Sequence, residues 1–395
     1  MTGLHIAYFT NSYLPVVSGV VRSVRSFRKA LTDIGHIVFV FAQEDGFEDE
    51  EPFIFRYPSL PLLLRADVSA AIPVSPFMDR LIPALKLDVI HTHHPVLLGQ
   101  AAVNKAQELD LPLVFTFHTQ YKEYTQYIPL HQEAVQNFLK DTIHTWLRDY
   151  MRKCQHIVVP SKSMLDILVK DYGLESRYTI IPTGIDLQSF GGANGETLRA
   201  ENGWEDDRVM ISIGRLGPEK NWRMLIKSAA LALQDHPSLR VVIIGDGPER
   251  QALREFSSQL GISGRVDFIG EVPFSQVPSY LKAADFFGFA STAETQGLVT
   301  LEALAAGLPV VAVNASGTRD ILEHDCQGIL VENQPEAIAA AINRLLTEEN
   351  LLNGFQAAAL ERAKDFDINI QANKLVSVYE RAIQDKQNDQ FVKVA

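Results

Sequence analysis

The sequence contains little cysteine, no long apolar run and no excess of positive charge. Its two cysteines, Cys154 and Cys326, fall in different halves, and neither adjoins a zinc-ligand pattern. A disulfide-stapled scaffold is therefore excluded, and a reducing compartment is expected. No apolar stretch approaches the length that spans a bilayer, and no signal peptide is evident at the N-terminus. We predict a cytoplasmic protein, soluble or peripheral on the inner face of the cell membrane.

The charge is negative overall and unevenly distributed. The net formal charge is −12, which argues against a nucleic-acid partner. Residues 1–185 carry 17 Lys and Arg against 19 Asp and Glu, whereas the remainder carries 19 against 29. The nearly neutral first half is therefore the better candidate for contact with an anionic membrane.

Short β-branched or aromatic runs alternate with helical segments along the whole chain of 395 residues. This rhythm predicts repeated βαβ units and an α/β fold with two doubly wound, Rossmann-like domains. We place the first domain at residues 1–186 and the second at 187–366, joined by a glycine-rich stretch. An amphipathic helix follows in residues 367–395.

Two carboxylates stand eight positions apart in the most informative stretch, Ser291–Ala312. Glu294 precedes a polar turn, and Glu302 lies in the apolar helix that we expect to begin near Gly297. The free amides and dipole of that helix start suit a diphosphate or a set of sugar hydroxyls. Glu302 is placed to accept hydrogen bonds from a ribose diol, and Glu294 to face another part of the ligand.

Two cations follow the first strand of the second domain. Arg215 and Lys220 lie where a strand ends and a helix begins, and together they could neutralise a diphosphate. A loop with two solvated cations is the alternative for this segment taken alone. The nearby Gly245-Asp-Gly-Pro248 turn is a weak signal, because many strand-to-helix connections require glycine.

The first domain offers a glycine and several histidines at predicted strand ends. Gly19 opens a helix, where a phosphate could approach the backbone, and His118 ends a strand, where its imidazole could bond a sugar or phosphate oxygen. His91, His93 and His94 end the neighbouring strand without a metal-ligand spacing, so we expect structural roles and no metal site. Residues 60–87 are apolar and weakly basic, which fits either contact with lipid or a buried helical hairpin.

Taken together, these motifs resemble the retaining glycosyltransferases of family four, which have the GT-B fold and use a nucleotide sugar. The resemblance extends over nearly the whole chain. It rests on a combination of motifs: Gly214-Arg215, Glu219-Lys220-Asn221, Gly245–Pro248, the Glu294 and Glu302 pair, Ala305–Val310 and Ile181–Asp186. It implies two domains facing each other across a cleft, with the C-terminal helix crossing back to the first.

The resemblance also implies roles for individual residues, with a UDP-sugar held mainly by the second domain. Arg215 and Lys220 would bind the diphosphate, and Glu302 the ribose. Glu294 and the amides of Gly297, Leu298 and Val299 would bind the sugar, and backbone near Val272 would contact uracil. Gly19 and His118 would close over the donor from the first, acceptor-binding domain. Neither a metal nor another cofactor is required.

Within the family, Asn11–Pro15 and the aromatic stretch Phe117–Tyr127 look most like bacterial enzymes that glycosylate diacylglycerol. This implies transfer of a hexosyl group, glucosyl by preference, to diacylglycerol or a glycosyl-diacylglycerol in glycolipid synthesis. Tyr121, Lys122 and Tyr124 would line the acceptor side. Phosphatidylinositol or a soluble sugar remain alternative acceptors. A UDP-sugar epimerase and a non-catalytic sugar-binding protein are the alternatives from other classes.

The expected chemistry is a front-side substitution with retention. The departing diphosphate oxygen would take the proton of the incoming hydroxyl, while Arg215, Lys220 and the helix amides stabilise the growing negative charge. His118, Arg215, Lys220 and Glu294 are therefore the predicted catalytic residues. Glu294 as a covalent nucleophile is the minor alternative.

Overall fold

The computed structural model describes residues 3–16, 18–62, 65–119 and 133–394. The chain divides into two compact units, Met1–Gly184 with Ile368–Ala395, and Ile185–Asp367. Each unit is built on a parallel sheet with helices on both faces, which confirms the predicted doubly wound α/β class.

The first unit contains, within the described residues, a seven-stranded parallel sheet in the order β3-β2-β1-β6-β7-β8-β9. Its strands, together with a separate hairpin of β4 and β5, are β1 His5–Thr10, β2 Ile37–Gln43, β3 Ile54–Tyr57, β4 Ser59–Leu62, β5 Arg65–Ala71, β6 Val89–Thr92, β7 Leu113–Thr116, β8 His156–Val159 and β9 Tyr178–Ile180. Its first helices are α1 Gly19–Asp33, α2 Pro76–Ala84, α3 Leu98–Glu108, α4 Glu133–Arg152 and α5 Lys162–Tyr172.

The second unit contains a six-stranded parallel sheet in the order β12-β11-β10-β13-β14-β15. Its strands are β10 Arg208–Ile213, β11 Leu239–Ile244, β12 Val266–Gly270, β13 Phe286–Phe289, β14 Val310–Val313 and β15 Gly328–Val331. Its helices are α6 Gln188–Gly191, α7 Glu196–Asn202, α8 Trp222–Ala232, α9 Arg250–Gln259, α10 Val277–Lys282, α11 Leu298–Ala305, α12 Thr318–Ile321, α13 Pro335–Thr347 and α14 Glu349–Lys364.

Both sheets bury their central strands on two faces. Every residue of β13 and β14 is buried, and so is nearly every residue of β1 and β11. This explains why the strands read as continuous β-branched and aromatic runs and why no polar alternation marks them. The strands of both sheets thus coincide with the β-branched and aromatic runs from which the βαβ units were predicted.

Each sheet reverses its winding direction at its first strand. In the second unit, β11 and β12 lie on one side of β10, and β13 to β15 lie on the other. In the first unit, β2 and β3 lie on one side of β1, and β6 to β9 lie on the other. Ligands of open α/β sheets bind beyond the strand ends at such a reversal. Ligand-binding residues are therefore expected in the loops after β10 and β13 and in those after β1 and β6.

The segment from residue 60 to residue 87 differs from the prediction. It forms the antiparallel hairpin β4–β5 followed by the single helix α2, so the alternative of a buried helical hairpin is wrong. Pro73 and Pro76 explain the outcome in part: Pro73 lies between the hairpin and α2, and proline is favoured at a helix start, whereas Pro83 is accommodated inside α2. Pro76 indeed opens α2, with Ser75 as its N-cap.

The last helix, α15 Ile368–Val394, packs within the first unit. Ile368, Ala372, Leu375, Val378, Tyr379 and Ala382 join β1, β2 and α1 in one buried apolar cluster. The hydroxyl of Tyr379 lies 3.1 Å from that of Tyr8 and 2.7 Å from His91 Nδ1. No helix among the described residues has the length and apolar character of a membrane span.

The buried hydroxyl of Tyr379 supports a prediction about stability. Removing it in Tyr379→Phe deprives both Tyr8 and His91 of a buried partner, so we expect the free energy of unfolding to fall by about 1–3 kcal/mol. Urea unfolding measures this, and Tyr178→Phe is the control. Tyr178 is a half-buried tyrosine of the same unit whose hydroxyl bonds to none of the described residues. Equal stability of the two variants would contradict this stabilising role of the Tyr379 hydroxyl.

Candidate functional site

The loop after β10 is built on two glycines of the neighbouring turn. Gly245 has a φ of 128°, and a Cβ there would lie 2.0 Å from the carbonyl oxygen of Gly214. A Cβ on Gly247 would lie 2.5 Å from the carbonyl oxygen of Leu216, whose amide donates to Asp246 at 2.9 Å. Only glycine permits these approaches, so the two turns that the sequence presents separately form one structure.

Lys220 and Glu294, both predicted site residues, are in direct contact. Lys220 Nζ lies 2.5 Å from Glu294 Oε1, and the two side chains are only 23% and 13% exposed. Lys220 ends the turn that follows β10, and Glu294 follows β13. The ion pair therefore spans the reversal point of the second sheet, because β10 and β13 are neighbours there.

Asn221 holds this loop in place, a role that the sequence reading did not assign. Its backbone is left-handed at a φ of 57°, a conformation that asparagine tolerates better than most residues. Its Nδ2 donates to the carbonyl of Ala290 at 3.1 Å and to Asn333 Oδ1 at 2.9 Å. Asn221 thus ties the loop after β10 to the end of β13, next to Lys220 and at the start of α8. An asparagine between a turn and a helix was the available signal.

Arg215 is positioned through its backbone, while its side chain reaches solvent. Its carbonyl accepts a bond from Trp222 Nε1 at 2.9 Å, and its side chain is 63% exposed. Its Nε lies 3.4 Å from Glu219 Oε1, whereas the buried Oε2 of Glu219 has no partner among the described residues. Arg215 can therefore turn toward an anion at small cost, since an exposed ion pair is weak.

The start of α11 lies where the sequence predicts it. Gly297 precedes the helix at a φ of 80°, and the first internal bonds run from Thr300 and Leu301 to its carbonyl. The backbone amides of Leu298 and Val299 precede those bonds and, as at any helix start, have no acceptor within the helix. Glu302, farther along α11, is buried.

The loop before α12 packs against the backbone of Glu294. Ala293 and Ser316 form a parallel bridge, and a Cβ on Gly317 would lie 2.6 Å from the Glu294 carbonyl oxygen. The hydroxyls of Thr300 and Thr318 are buried near Gly297 and have no partner among the described side chains. Sequence reasoning missed Gly317 and both threonines, since nothing in the chain links residues 294–300 to 317–318.

The remaining predicted donor residue of the second unit, Val272, lies just beyond β12. It is half-buried and packs on the apolar cluster beneath β10 and β13. The carbonyl of Gly270 accepts from the Gly245 amide at 2.8 Å, so the ends of β11 and β12 are joined. The assignment of Val272 to a base remains a prediction.

In the first unit, the predicted site residues Gly19 and His118 follow β1 and β7. Gly19 begins α1 after its N-cap Ser18, whose hydroxyl accepts from the Val21 amide at 3.2 Å. His118 lies two residues beyond β7 and is buried, with its Nε2 3.0 Å from His93 Nδ1. Tyr121, Lys122 and Tyr124, predicted for the acceptor side, lie outside the described residues.

Four neighbouring histidines of the first unit, His91, His93, His94 and His118, are neutral, and the described part of the chain contains no cluster of metal ligands. Burial lowers the pKa of His91 to about 3 and that of His94 to about 4. Burial, reinforced by the neighbouring imidazoles, also lowers the pKa of His93 and His118 well below the ordinary value. His91 bonds Thr116 and Tyr379 at 2.7 Å, and His94 Nδ1 accepts from the Asn11 amide at 3.1 Å.

Two family models match the chain in succession. The model of glycosyltransferase family 4 matches residues 17–189, and that of glycosyl transferases group 1 matches residues 194–362. The chain is 32% identical over 358 residues to the alpha-monoglucosyldiacylglycerol synthase of Streptococcus pneumoniae, covering 88% of this chain and 80% of that protein. It is 29% identical over 402 residues to the Acholeplasma laidlawii enzyme of the same name, covering 99% and 100%.

A solved structure shows the same fold. The crystal structure of Anabaena HepE in complex with UDP and glucose matches with a TM-score of 0.76 at 20% identity. The match covers 95% of this chain and 99% of that one. At this identity the likeness establishes the GT-B architecture of the chain.

The contact of Gly317 with Glu294 supports a second prediction. Gly317→Ala places a Cβ against a carbonyl oxygen at a φ of 78°, so we expect the free energy of unfolding to fall by about 1–3 kcal/mol. Gly264→Ala is the control, because a Cβ there meets open space, and it should change stability by less than about 0.5 kcal/mol. Urea unfolding of both variants measures these changes in the free energy of unfolding. Indistinguishable midpoints would mean that this close approach does not constrain the loop.

Proposed function

The chain belongs to the glycosyltransferases of group 1 and family 4, and we propose that it moves a glucosyl group from UDP-glucose to a lipid acceptor with retention. The proposed acceptor is diacylglycerol or a glycosyl-diacylglycerol. The name of the two bacterial relatives specifies an alpha-linked monoglucosyl-diacylglycerol as their product. The proposal therefore assigns this chain to membrane glycolipid synthesis.

The observation that carries the proposal is the contact of Lys220 with Glu294 near the start of α11. The ammonium group proposed to bind a phosphate and the carboxylate proposed to bind sugar hydroxyls lie 2.5 Å apart. The loop of Gly297, Leu298 and Val299 adds backbone donors directly after Glu294 in the chain. Such a set suits a molecule in which a sugar is joined directly to a diphosphate, as in UDP-glucose.

The same contact supports the front-side mechanism. The bond between the anomeric carbon and the diphosphate oxygen breaks, and that oxygen takes the proton of the incoming hydroxyl. Lys220, Arg215 and the helix amides stabilise the charge that grows on the diphosphate. The charge-assisted bond to Lys220 stabilises the Glu294 carboxylate and makes it a poorer nucleophile, which disfavours a covalent glycosyl-enzyme. No step in this scheme requires a metal.

The remaining predicted roles complete the donor site. We propose that Glu302 binds the ribose and that backbone near Val272 contacts the uracil. Gly19 and His118 contribute from the first unit, the glycine through its helix-start backbone and the histidine through its imidazole.

Exposed apolar side chains of the first unit support a lipid acceptor. Leu60, Val74 and Phe77 are 62%, 67% and 63% exposed, and they lie in or beside the hairpin β4–β5 and α2. Arg80, also on α2, is exposed as well. Large apolar side chains accompanied by a cation are typical of surfaces that insert into the lipid interface. We propose that this segment holds the protein peripherally on the membrane.

A screen of donors against acceptors tests the proposed function. The full-length protein is incubated with UDP-glucose, UDP-galactose or GDP-mannose, and with diacylglycerol vesicles, phosphatidylinositol vesicles or soluble sugars, each with and without chelator. We expect UDP release only with UDP-glucose and diacylglycerol vesicles, unchanged by chelator, and an α-anomeric product by NMR.

Other outcomes of the screen would contradict specific parts of the proposal. Turnover on phosphatidylinositol or a soluble sugar alone would show that the proposed acceptor is wrong. A β-linked product would exclude retention. Conversion of UDP-glucose to its epimer without an acceptor would make the chain an isomerase. Loss of activity with chelator would introduce a metal requirement.

A further inference from the structure

His118 meets His93 edge to edge. The N···N distance is 3.0 Å, the ring centroids are 5.3 Å apart and the ring planes differ by 27°. The centroid separation exceeds the N···N distance by about two ring radii. The two imidazoles are therefore nearly coplanar and share one N–H···N hydrogen bond. Both rings are buried, and both are neutral because burial disfavours the imidazolium form.

One proton lies between the two rings, and either ring can supply it. A neutral imidazole carries a single N–H, so the ring that donates leaves its other nitrogen as a bare acceptor. If His118 Nε2–H donates, the proton of His93 must lie on Nε2. If His93 Nδ1–H donates, His118 must carry its own proton on Nδ1.

The surroundings of His93 favour the second arrangement. His93 Nε2 is buried and has no hydrogen-bond partner among the described residues. A buried N–H without an acceptor is rarer in folded proteins than an under-satisfied acceptor. His93 therefore keeps its proton on Nδ1 and donates to His118 Nε2.

The ring of His93 is itself held firmly. Its centroid lies 4.7 Å from the ring of Tyr8 and 4.4 Å from that of His91. His91 is fixed by its bonds to Thr116 and Tyr379, and the His93 amide donates to Phe9 at 2.9 Å. The orientation of His118 is thus set through β1, β6 and the C-terminal helix α15.

We propose that His93 is a positioning residue that locks His118 in the tautomer protonated on Nδ1. His118 then meets its ligand as a hydrogen-bond donor from Nδ1, an atom that bonds to none of the described residues. A donor at this position suits an oxygen of a sugar hydroxyl or a phosphate. The identity of that ligand rests on the proposed function, whereas the tautomer does not.

Long-range ¹H–¹⁵N spectra of histidine-labelled full-length protein at neutral pH test the tautomer directly. His118→Asn and His93→Asn assign the two rings by loss of their signals. We expect protonated Nδ1 and unprotonated Nε2 for both rings in the unmodified protein. A spectrum in which His118 is protonated on Nε2 would overturn the proposal, whether or not any transferase activity is found.

Variants of His93 test the consequence for the reaction. His93→Phe removes the donor, so we expect His118 to revert toward Nε2 protonation and kcat to fall by about 10- to 100-fold. His93→Asn keeps an N–H close to the position of Nδ1 and should restore both the tautomer and most of the turnover. The midpoint of urea unfolding, measured on all proteins, reports intact folding.

The pattern across the variants separates positioning from packing. Equal turnover in His93→Phe and His93→Asn contradicts the positioning role. If His93→Phe does not fold, the wild-type spectrum and His93→Asn still decide. Absence of turnover in every protein, combined with the expected tautomer, would count against the proposed function and leave the role of His93 intact.

Discussion

The ion pair of Lys220 and Glu294 is the contact on which the candidate site depends. It joins the loops that follow β10 and β13, the two strands at which the second sheet reverses its winding. A largely buried charge pair requires well-placed support, because desolvation opposes it. Asn221 supplies that support from one side and the packing of Gly317 on the Glu294 backbone from the other. A bound nucleotide sugar would replace part of the Lys220–Glu294 interaction with contacts to its own phosphate and hydroxyls.

Much of the fold could be predicted from the sequence, because strands buried on both faces must be apolar throughout. The same argument placed Arg215, Lys220 and Glu294 at strand ends, where doubly wound sheets bind ligands. The hairpin β4–β5 was not predicted, because β4 has only four residues and contains Pro61, and β5 is rich in alanine and polar residues with low strand propensity. The roles of Asn221 and Gly317 also depend on partners distant in the chain, Ala290 and Glu294, and one sequence does not reveal such pairs.

The first unit has the same sheet organisation as the second, but different residues follow its strands. Its sheet also reverses at its first strand. The loops after β1 and β6 carry Asn11 and His94, and the backbone amide of Asn11 donates to His94 Nδ1. The crowding of histidines was visible in the sequence, but their neutrality follows from burial, which only the structure shows. The C-terminal helix adds Tyr379 to this network, so a residue 288 positions beyond His91 contributes to the orientation of the imidazoles in the first unit.

Turnover of Lys220→Ala with UDP-glucose and diacylglycerol vesicles tests the central claim most directly. If Lys220 stabilises the leaving diphosphate, kcat should fall by about 100-fold or more. Lys227→Ala, which removes an exposed lysine from the neighbouring helix α8, should retain the activity of the unmodified protein. A folded Lys220→Ala protein with undiminished turnover would contradict the account.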